Sequence, residues 1–177
     1  MDLVNILIVV TAVLLILVMW IIVGVRHLRH MKESTKDGWE ELDEKLRHRH
    51  DLVPNLVETI RVFNDQQERL LGKLIKQRSE AAREYSASGK KIEKEHDLSS
   101  TIDQVIDLGR IYKDLSLDTN FLEIRREIDD LEAEIEKESE KFNKVVRGYN
   151  KATKSVALRP LSALLKLKPE NIFEFEK

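Results

Sequence analysis

The sequence contains no cysteine, and glycine and proline are scarce, at six and three of 177 residues. Without cysteine there is no disulfide, no thiolate nucleophile and no thiolate metal ligand. Few glycines and prolines leave few tight turns, and charged residues make up 35% of the chain, a composition that suits long helices. No alternation of apolar and polar residues bounded by turn residues stands out. The sequence therefore predicts an all-α protein.

Charge is missing altogether from the stretch Leu3–Val25. As a helix this stretch covers roughly 35 Å, enough to cross a hydrocarbon core of about 30 Å. A secretory signal peptide would need a basic residue before a shorter apolar run and a small-residue cleavage site after it, and neither is present. We therefore predict an uncleaved transmembrane anchor in residues 1–25, with the lipid bilayer as the partner of residues 3–25.

The residues that follow the apolar run are basic, with Arg26, Arg29 and Lys32 first, whereas no lysine or arginine precedes it. The positive-inside bias of membrane proteins then places the N-terminus outside and residues 26–177 in the cytoplasm. This predicts a single-pass protein of the cell membrane. We expect the three basic side chains, in a juxtamembrane segment of residues 26–38, to contact the membrane surface.

Acidic residues are absent from Phe142 to Pro169, although lysine and arginine recur there. If successive helices run away from the membrane and back, this stretch returns to the side of the anchor. Lys151, Lys154 and Arg159 are then predicted to contact anionic headgroups, where each basic residue contributes about 1 kcal/mol. A solvated basic face stays open as the alternative.

Apolar residues recur at steps of three and four from Trp39 to Tyr85, which predicts amphipathic helices covered by other helices. The stretch His-Arg-His-Asp at residues 48–51 stands just before Pro54. We interpret it as a corner between two helices, with Asp51 as the N-cap of a helix over residues 52–85. Because the apolar phase continues through the corner, a single long kinked helix stays open.

Two further helices are predicted downstream. The first runs from about Asp97 to Tyr112, where apolar residues again recur with helical spacing. The second is long, with Asp118 or Thr119 as its N-cap and an apolar stripe that reaches Tyr149.

Motifs that carry chemistry are missing. There is no glycine-rich phosphate loop, no Gly-x-Ser-x-Gly and no His-Glu-x-x-His. His48 and His50, two residues apart, point in different directions on a helix, which disfavours a metal site. The acidic run Glu127–Lys141 lacks the Glu-x-x-His pairs that di-iron bundles need on two helices. No basic stretch has the interleaved aromatics typical of single-strand binding. We predict no catalytic residue, cofactor, metal or nucleic-acid partner.

Four amides, Asn55, Asn120, Asn143 and Asn150, are candidates for a partner or ligand surface. Asn143 and Asn150 lie seven residues apart on one helix face, each directly after an aromatic residue, and Asn55 follows Pro54. One interpretation is a groove between helices formed by Asn55, Asn143, Tyr149 and Asn150. The other is that the aromatic residues fill the core while the amides satisfy polar groups within the fold.

The chain resembles the LemA family in four stretches: "WEELDEKLRHRHDLVPNLVETI", "YKDLSLDTNFLEI", "FNKVVRGYN" and "RPLSALLKLKPENIFEFE". The resemblance implies an N-terminal transmembrane helix joined to a cytoplasmic antiparallel four-helix bundle. On this basis the bundle is expected in residues 39–158, between the juxtamembrane segment and a tail of residues 159–177. The family has no established enzymatic activity, so the resemblance implies architecture more than function.

Two functional hypotheses follow from these features. The first is a non-enzymatic, membrane-tethered scaffold or adaptor that presents its bundle to partner proteins, with self-association left open. It rests on the anchor and on the missing catalytic motifs. The second is a small-molecule sensor or enzyme with a site between helices near Asn55 and Tyr149. A polar cavity at those residues would favour the second hypothesis, and a filled core the first.

Overall fold

The structure, a computed structural model, describes residues 3–63, 67–85 and 87–174. Within these ranges the chain is helical and has no strand, which confirms the all-α prediction. The α-helices are α1 (Leu3–Phe63), α2 (Glu68–Ala82), α3 (Gly89–Ile106), α4 (Leu108–Ile111), α5 (Thr119–Lys154) and α6 (Arg159–Leu164), with a 3-10 turn at Leu115–Leu117. The ends of the predicted anchor and tail, residues 1, 2 and 175–177, lie outside the described ranges.

The predicted corner at residues 48–52 is wrong, because α1 continues through it to Phe63 with Pro54 inside the helix. Pro54 has no N–H for the carbonyl of His50, four residues earlier, which would leave that oxygen without its helical partner. Arg78 of α2 supplies the missing bond, since its Nε donates to the His50 carbonyl oxygen at 2.6 Å. Asp51 caps nothing; its side chain is 74% exposed and lies 3.8 Å from the Arg78 guanidinium.

The other predicted helix boundaries differ in part from the structure. The predicted helix over 52–85 is divided between the end of α1 and α2, and residues 64–66 of that stretch lie outside the described residues. The helix predicted from Asp97 begins at Gly89, where the Ser88 side chain accepts the N–H of Lys91 at 3.1 Å as an N-cap. The cap of α5 is confirmed, because Asp118 Oδ1 accepts the Phe121 N–H at 2.8 Å.

The chain divides into two compact units, and α1 and α5 each contribute to both. The second unit comprises Asp37–Lys144 and the tail from Asn171. Its α1 and α5 segments run antiparallel, because Lys45 pairs with Glu134 at 2.8 Å and His48 with Glu127 at 3.4 Å. Its core holds the apolar stripes of the helices, including Leu42, Leu46, Val53, Leu56, Leu71, Leu74, Leu98, Ile102, Phe121, Ile128, Ile135 and Phe142.

The first unit joins the chain up to Lys36 with Val145–Glu170. From Leu3 to Val23 α1 is largely apolar and exposed. This part has a mean hydropathy of 3.4 over 18 residues, and the helix is long and apolar enough to cross a membrane. Burial in this helix begins at Gly24 and Leu28, where segments from the C-terminal part of the chain pack against it.

Candidate functional site

A cluster of buried charged side chains joins α1 and α3 in the second unit. Glu95 of α3 is 1% exposed, and its carboxylate lies 2.8 Å from Arg49 Nη2 and 3.0 Å from His50 Nε2. Lys91, one turn earlier on α3, places its Nζ 2.8 Å from Glu95 and 3.5 Å from Asp43. We call these five residues, Asp43, Arg49, His50, Lys91 and Glu95, the ion cluster. All five are buried, with Asp43 the most exposed at 6%, which is unusual for charged side chains.

Further hydrogen bonds tie the cationic members of the ion cluster to neighbouring helices. Arg49 donates from Nη1 to the Ser99 hydroxyl and from Nη2 to the backbone carbonyl of Glu95 at 3.4 Å. Lys91 Nζ donates to the carbonyl oxygen of Ala81 at the end of α2, at 2.9 Å. The buried cations are therefore held by carboxylates and by carbonyl or hydroxyl oxygens together, as buried charges require.

The electrostatics of the ion cluster keep its central carboxylate ionised. Burial alone would raise the pKa of Glu95 above its ordinary value of 4.5. The hydrogen bond with His50 and the charges of Arg49, His50 and Lys91 outweigh burial and bring the pKa to about 2. A general acid or base at neutral pH needs a pKa near 7. Glu95 therefore acts as an anionic cross-link between helices.

A surface pocket of about 260 Å³ opens over one side of the ion cluster. Arg47 lies in its lining, with Nε 2.7 Å from Asp43 Oδ2 and the guanidinium carbon 5.9 Å from the Tyr85 ring centroid. Arg78 in the same lining is engaged by the His50 carbonyl. The polar groups of this pocket are thus largely occupied by one another.

A larger groove, of about 430 Å³, lies between the C-terminal end of α1 and the start of α5. We call it the α1–α5 groove; it is lined by Asn55, Glu58, Thr59, Val62, Phe63, Asp118, Asn120, Glu123 and Ile124. Asn55, one of the predicted surface residues, therefore lies in an open groove together with a second amide, Asn120. Val62, 79% exposed, and Phe63, 38% exposed, add an apolar edge.

Asn143 does not line this groove; it binds the C-terminal tail. Its Nδ2 donates to the Phe173 carbonyl at 2.7 Å and its Oδ1 accepts the Phe173 N–H at 2.7 Å. The Phe173 side chain, 2% exposed, packs against Trp39, with ring centroids 6.2 Å apart. Trp39 in turn contacts Phe142, with centroids 5.6 Å apart. The amide thus holds a segment of the tail from which the Phe173 side chain enters the core.

Tyr149 and Asn150 belong to the first unit and make the same kind of contact. Asn150 pairs with the backbone of Glu170: its Nδ2 donates to the carbonyl at 2.8 Å and its Oδ1 accepts the N–H at 2.9 Å. The Tyr149 hydroxyl donates to the Lys168 carbonyl at 3.1 Å. Burial raises the pKa of the Tyr149 phenol, so the hydroxyl stays protonated and able to donate. The structure therefore places Asn55 with Asn120, and Asn143, Tyr149 and Asn150 on the tail backbone.

Comparison with protein-family models shows a match to the LemA family over residues 38–177. The chain belongs to the LemA family. The match includes the ion cluster, the α1–α5 groove and the tail contacts, and it begins after the apolar part of α1. A search among curated proteins found no match.

The predicted membrane-surface residues of this LemA-family chain all lie in its first unit. Arg26, Arg29, Lys151, Lys154 and Arg159 are exposed, and among the described residues none of them has an ion-pair partner. Lys32 differs from these five. Its Nζ pairs with the Glu170 carboxylate and lies 5.6 Å from the Tyr149 ring centroid, so it is engaged by the tail.

Sequence reasoning missed the ion cluster in this LemA-family chain, because it interpreted residues 48–51 as a helix corner and did not single out Asp43, Lys91 or Glu95. Lys91 and Glu95 stand four residues apart and in phase with the apolar stripe of Leu98, Ile102 and Val105. Charged residues that continue a buried stripe are the signal that could have found them. No group of three or more His, Asp or Glu side chains converges as metal ligands within residues 3–63, 67–85 and 87–174.

Proposed function

We propose that this LemA-family protein is a membrane-anchored scaffold or adaptor without enzymatic activity. In this proposal residues 3–25 cross the cell membrane, the N-terminus is outside, and the rest of the chain is cytoplasmic. The apolar N-terminal part of α1 supports the anchor, and Arg26, Arg29 and Lys32 directly after it support the orientation. The segments of α1, α2, α3 and α5 in the second unit form the antiparallel four-helix bundle of the proposal.

The α1–α5 groove is the observation that carries the adaptor role. It combines amides and carboxylates with an exposed apolar edge at Val62 and Phe63, and it is open to solvent. Exposed apolar residues rimmed by polar ones are typical of protein-binding surfaces. Glu58, Asp118 and Glu123 give the groove a negative charge. We propose that its partner is a protein segment with basic residues around an apolar side chain.

Affinity purification from detergent-solubilised membranes tests the adaptor role, with the intact chain as bait. Glu58→Lys with Glu123→Lys reverses charge in the groove, and Glu93→Lys with Glu140→Lys is the matched control at two exposed positions outside it. We expect the groove variant to lose proteins that wild type and control both retain. Recovery of the same proteins by all three would contradict the proposal.

Orientation has its own test. Protease added to intact cells should spare residues 37–177, because a cytoplasmic domain is out of its reach. Digestion of this part of the chain from outside, in cells that exclude a membrane-impermeant dye, would reverse the proposed topology.

A small-molecule sensor is the second candidate, because the groove volume of about 430 Å³ falls in the range of ligand pockets. Asn55 and Asn120 would provide the directional hydrogen bonds that such a site needs. Binding of a metabolite that raises the melting temperature of the full chain in detergent, and loses this effect in Asn55→Ala, would favour the sensor. If no compound of a metabolite library has this effect, the adaptor remains the better supported of the two proposed functions.

A further inference from the structure

Two large apolar side chains in the C-terminal segment of the first unit, residues 145–170, are highly exposed. Val156, in the turn after α5, is 93% exposed, and Leu164, the last residue of α6, is 75% exposed. Single exposed apolar residues are common on protein surfaces and need no explanation by themselves. Val156 and Leu164 are of interest because of their position relative to the apolar part of α1.

Gly24 fixes that position. A Cβ atom added to Gly24 would stand 2.5 Å from Leu161 Cδ1 and 3.2 Å from Leu158 Cδ2, so the absence of a side chain lets α6 approach α1 this closely. Gly24 is the second-last residue of the apolar run Leu3–Val25, and Leu28 one turn further is fully buried. Because one helical turn rises only about 5.4 Å, α6 lies at the level where the apolar run ends.

The charges around the two apolar side chains have one sign. Lys154, Arg159 and Lys166 are exposed, and none of them has an ion-pair partner among the described residues. The sequence from Phe142 to Pro169 contains no acidic residue. Unpaired cations beside exposed apolar side chains are the pattern of segments that lie in a membrane interface.

Lys166 stands where glycine would be the ordinary choice. Its φ is 53°, and it ends α6 in the left-handed conformation, with its N–H bonded to the Ala163 carbonyl at 3.1 Å. The next N–H, of Leu167, bonds to the Ser162 carbonyl at 3.0 Å, which completes a Schellman ending. A side chain at this position is strained relative to glycine. Lys166 thus places a cation two residues after Leu164, at a position where glycine would avoid the strain.

We propose that residues 154–166 form a second membrane-contact element, which lies in the headgroup region of the anionic leaflet next to the anchor. In this element Val156 and Leu164 enter the interface, and Lys154, Arg159 and Lys166 bind the phosphates of acidic lipids. The inference rests on the proposed membrane span of α1. Because that span already holds the chain at the bilayer, even weak contacts of this element are intramolecular and persist.

The chain has no cysteine, so single-cysteine variants allow site-specific labels on the full-length protein. A fluorophore at Val156→Cys or Leu164→Cys, in vesicles of mixed neutral and anionic lipids, is tested with quencher lipids that carry a nitroxide near the headgroup. Leu117→Cys is the matched control, since Leu117 is an apolar residue that is 71% exposed and belongs to the second unit, outside the proposed element. Leu15→Cys, with a quencher near the acyl-chain end, reports on the anchor itself.

We expect several-fold stronger quenching at 156 and 164 than at 117. Strong quenching at 15 with quenching at 156 and 164 no greater than at 117 would overturn the inference and leave the anchor intact. That outcome would also mean that Val156 and Leu164 are free for a protein partner. A label at 15 that is not quenched would refute the span and, with it, the element that depends on it.

Charge variants test the role of the headgroups. Lys154→Gln with Arg159→Gln should reduce quenching at 164 in anionic vesicles to the level of neutral vesicles, whereas Lys73→Gln with Lys76→Gln, at exposed positions of α2, should not. Lys166→Gly relieves the strained backbone, so it should keep the fold and still weaken quenching. Quenching that is equal in neutral and anionic vesicles for wild type would refute the binding of acidic lipids.

Discussion

Removal of the central carboxylate of the ion cluster is the sharpest test of what stabilises the second unit. Glu95→Gln keeps the size of the side chain and removes its negative charge. Arg49 and Lys91, 0% and 1% exposed, then lose the carboxylate that lies 2.8 Å from each of them. Asp43, 3.5 Å from Lys91, is the carboxylate that remains in the cluster. Lys91 would thus depend on this more distant anion, and Arg49 would lose its 2.8 Å contact with a carboxylate.

Two independent arguments give the size of the effect. Breaking a buried ion pair by removing one partner costs about 3–5 kcal/mol, because the remaining charge stays buried. The fall of the Glu95 pKa from 4.5 to about 2 corresponds to about 3 kcal/mol of stability at neutral pH. The two values agree in magnitude. We expect Glu95→Gln to lower the free energy of unfolding by about 3 kcal/mol.

Urea titration of the full chain in detergent micelles, followed by circular dichroism, measures this loss. Glu80→Gln is the control, since Glu80 pairs with Lys94 at 3.0 Å on the surface, and it should not change the midpoint measurably. The difference in the free energy of unfolding between wild type and Glu95→Gln should have its full size above pH 4.5, the ordinary pKa of a glutamate. It should disappear as the pH falls toward about 2, because the Glu95 carboxylate then becomes protonated in the folded protein. A loss below about 1 kcal/mol at pH 7, the scale of a surface pair, would refute the reasoning.

Three more substitutions test other contacts of the fold by the same titration. Arg78→Met should lower the free energy of unfolding by about 1–3 kcal/mol, because the His50 carbonyl loses its donor. The loss should be smaller in a Pro54→Ala background, where residue 54 regains the helical N–H, and equal losses in both backgrounds would contradict this assignment. Asp51→Ala should change stability by less than about 0.5 kcal/mol, and a loss of about 1 kcal/mol would restore Asp51 as a cap. Phe173→Ala should cost about 3–5 kcal/mol, and an unchanged midpoint would mean that the tail docks separately from the core.

The sequence predicted the helical class and the apolar stripes well, because helical periodicity is a local property. The helix corner predicted near Pro54 was wrong, because the rule that proline interrupts a helix considers only the hydrogen bonds of the helix's own backbone. The compensating bond comes from Arg78, 28 residues away from His50 in sequence. A tertiary hydrogen bond of this kind leaves no periodic signal, so local reasoning placed a corner where α1 continues.

Sequence distance also explains the mixed outcome for the candidate site. Asn143 and Phe173 are 30 residues apart, and Asn150 and Glu170 are 20 apart, so no local pattern shows that these amides pair with tail backbone. An extended segment has no helical partners for its N–H and C=O groups, and an asparagine amide can satisfy one of each at once. Each of the two asparagines therefore pairs with the part of the tail that belongs to its own unit.

The same argument separates Asn55 from the other predicted surface residues. An amide that pairs with tail backbone through both of its polar atoms has little hydrogen-bonding capacity left for a partner. Asn143 and Asn150 are in this state, so a partner that used them would first have to displace the tail and the buried Phe173. Asn55 is exposed and lines the open groove with Asn120. A partner could therefore reach Asn55 without displacing the tail, and the proposed adaptor function would require the least rearrangement of the fold at the α1–α5 groove.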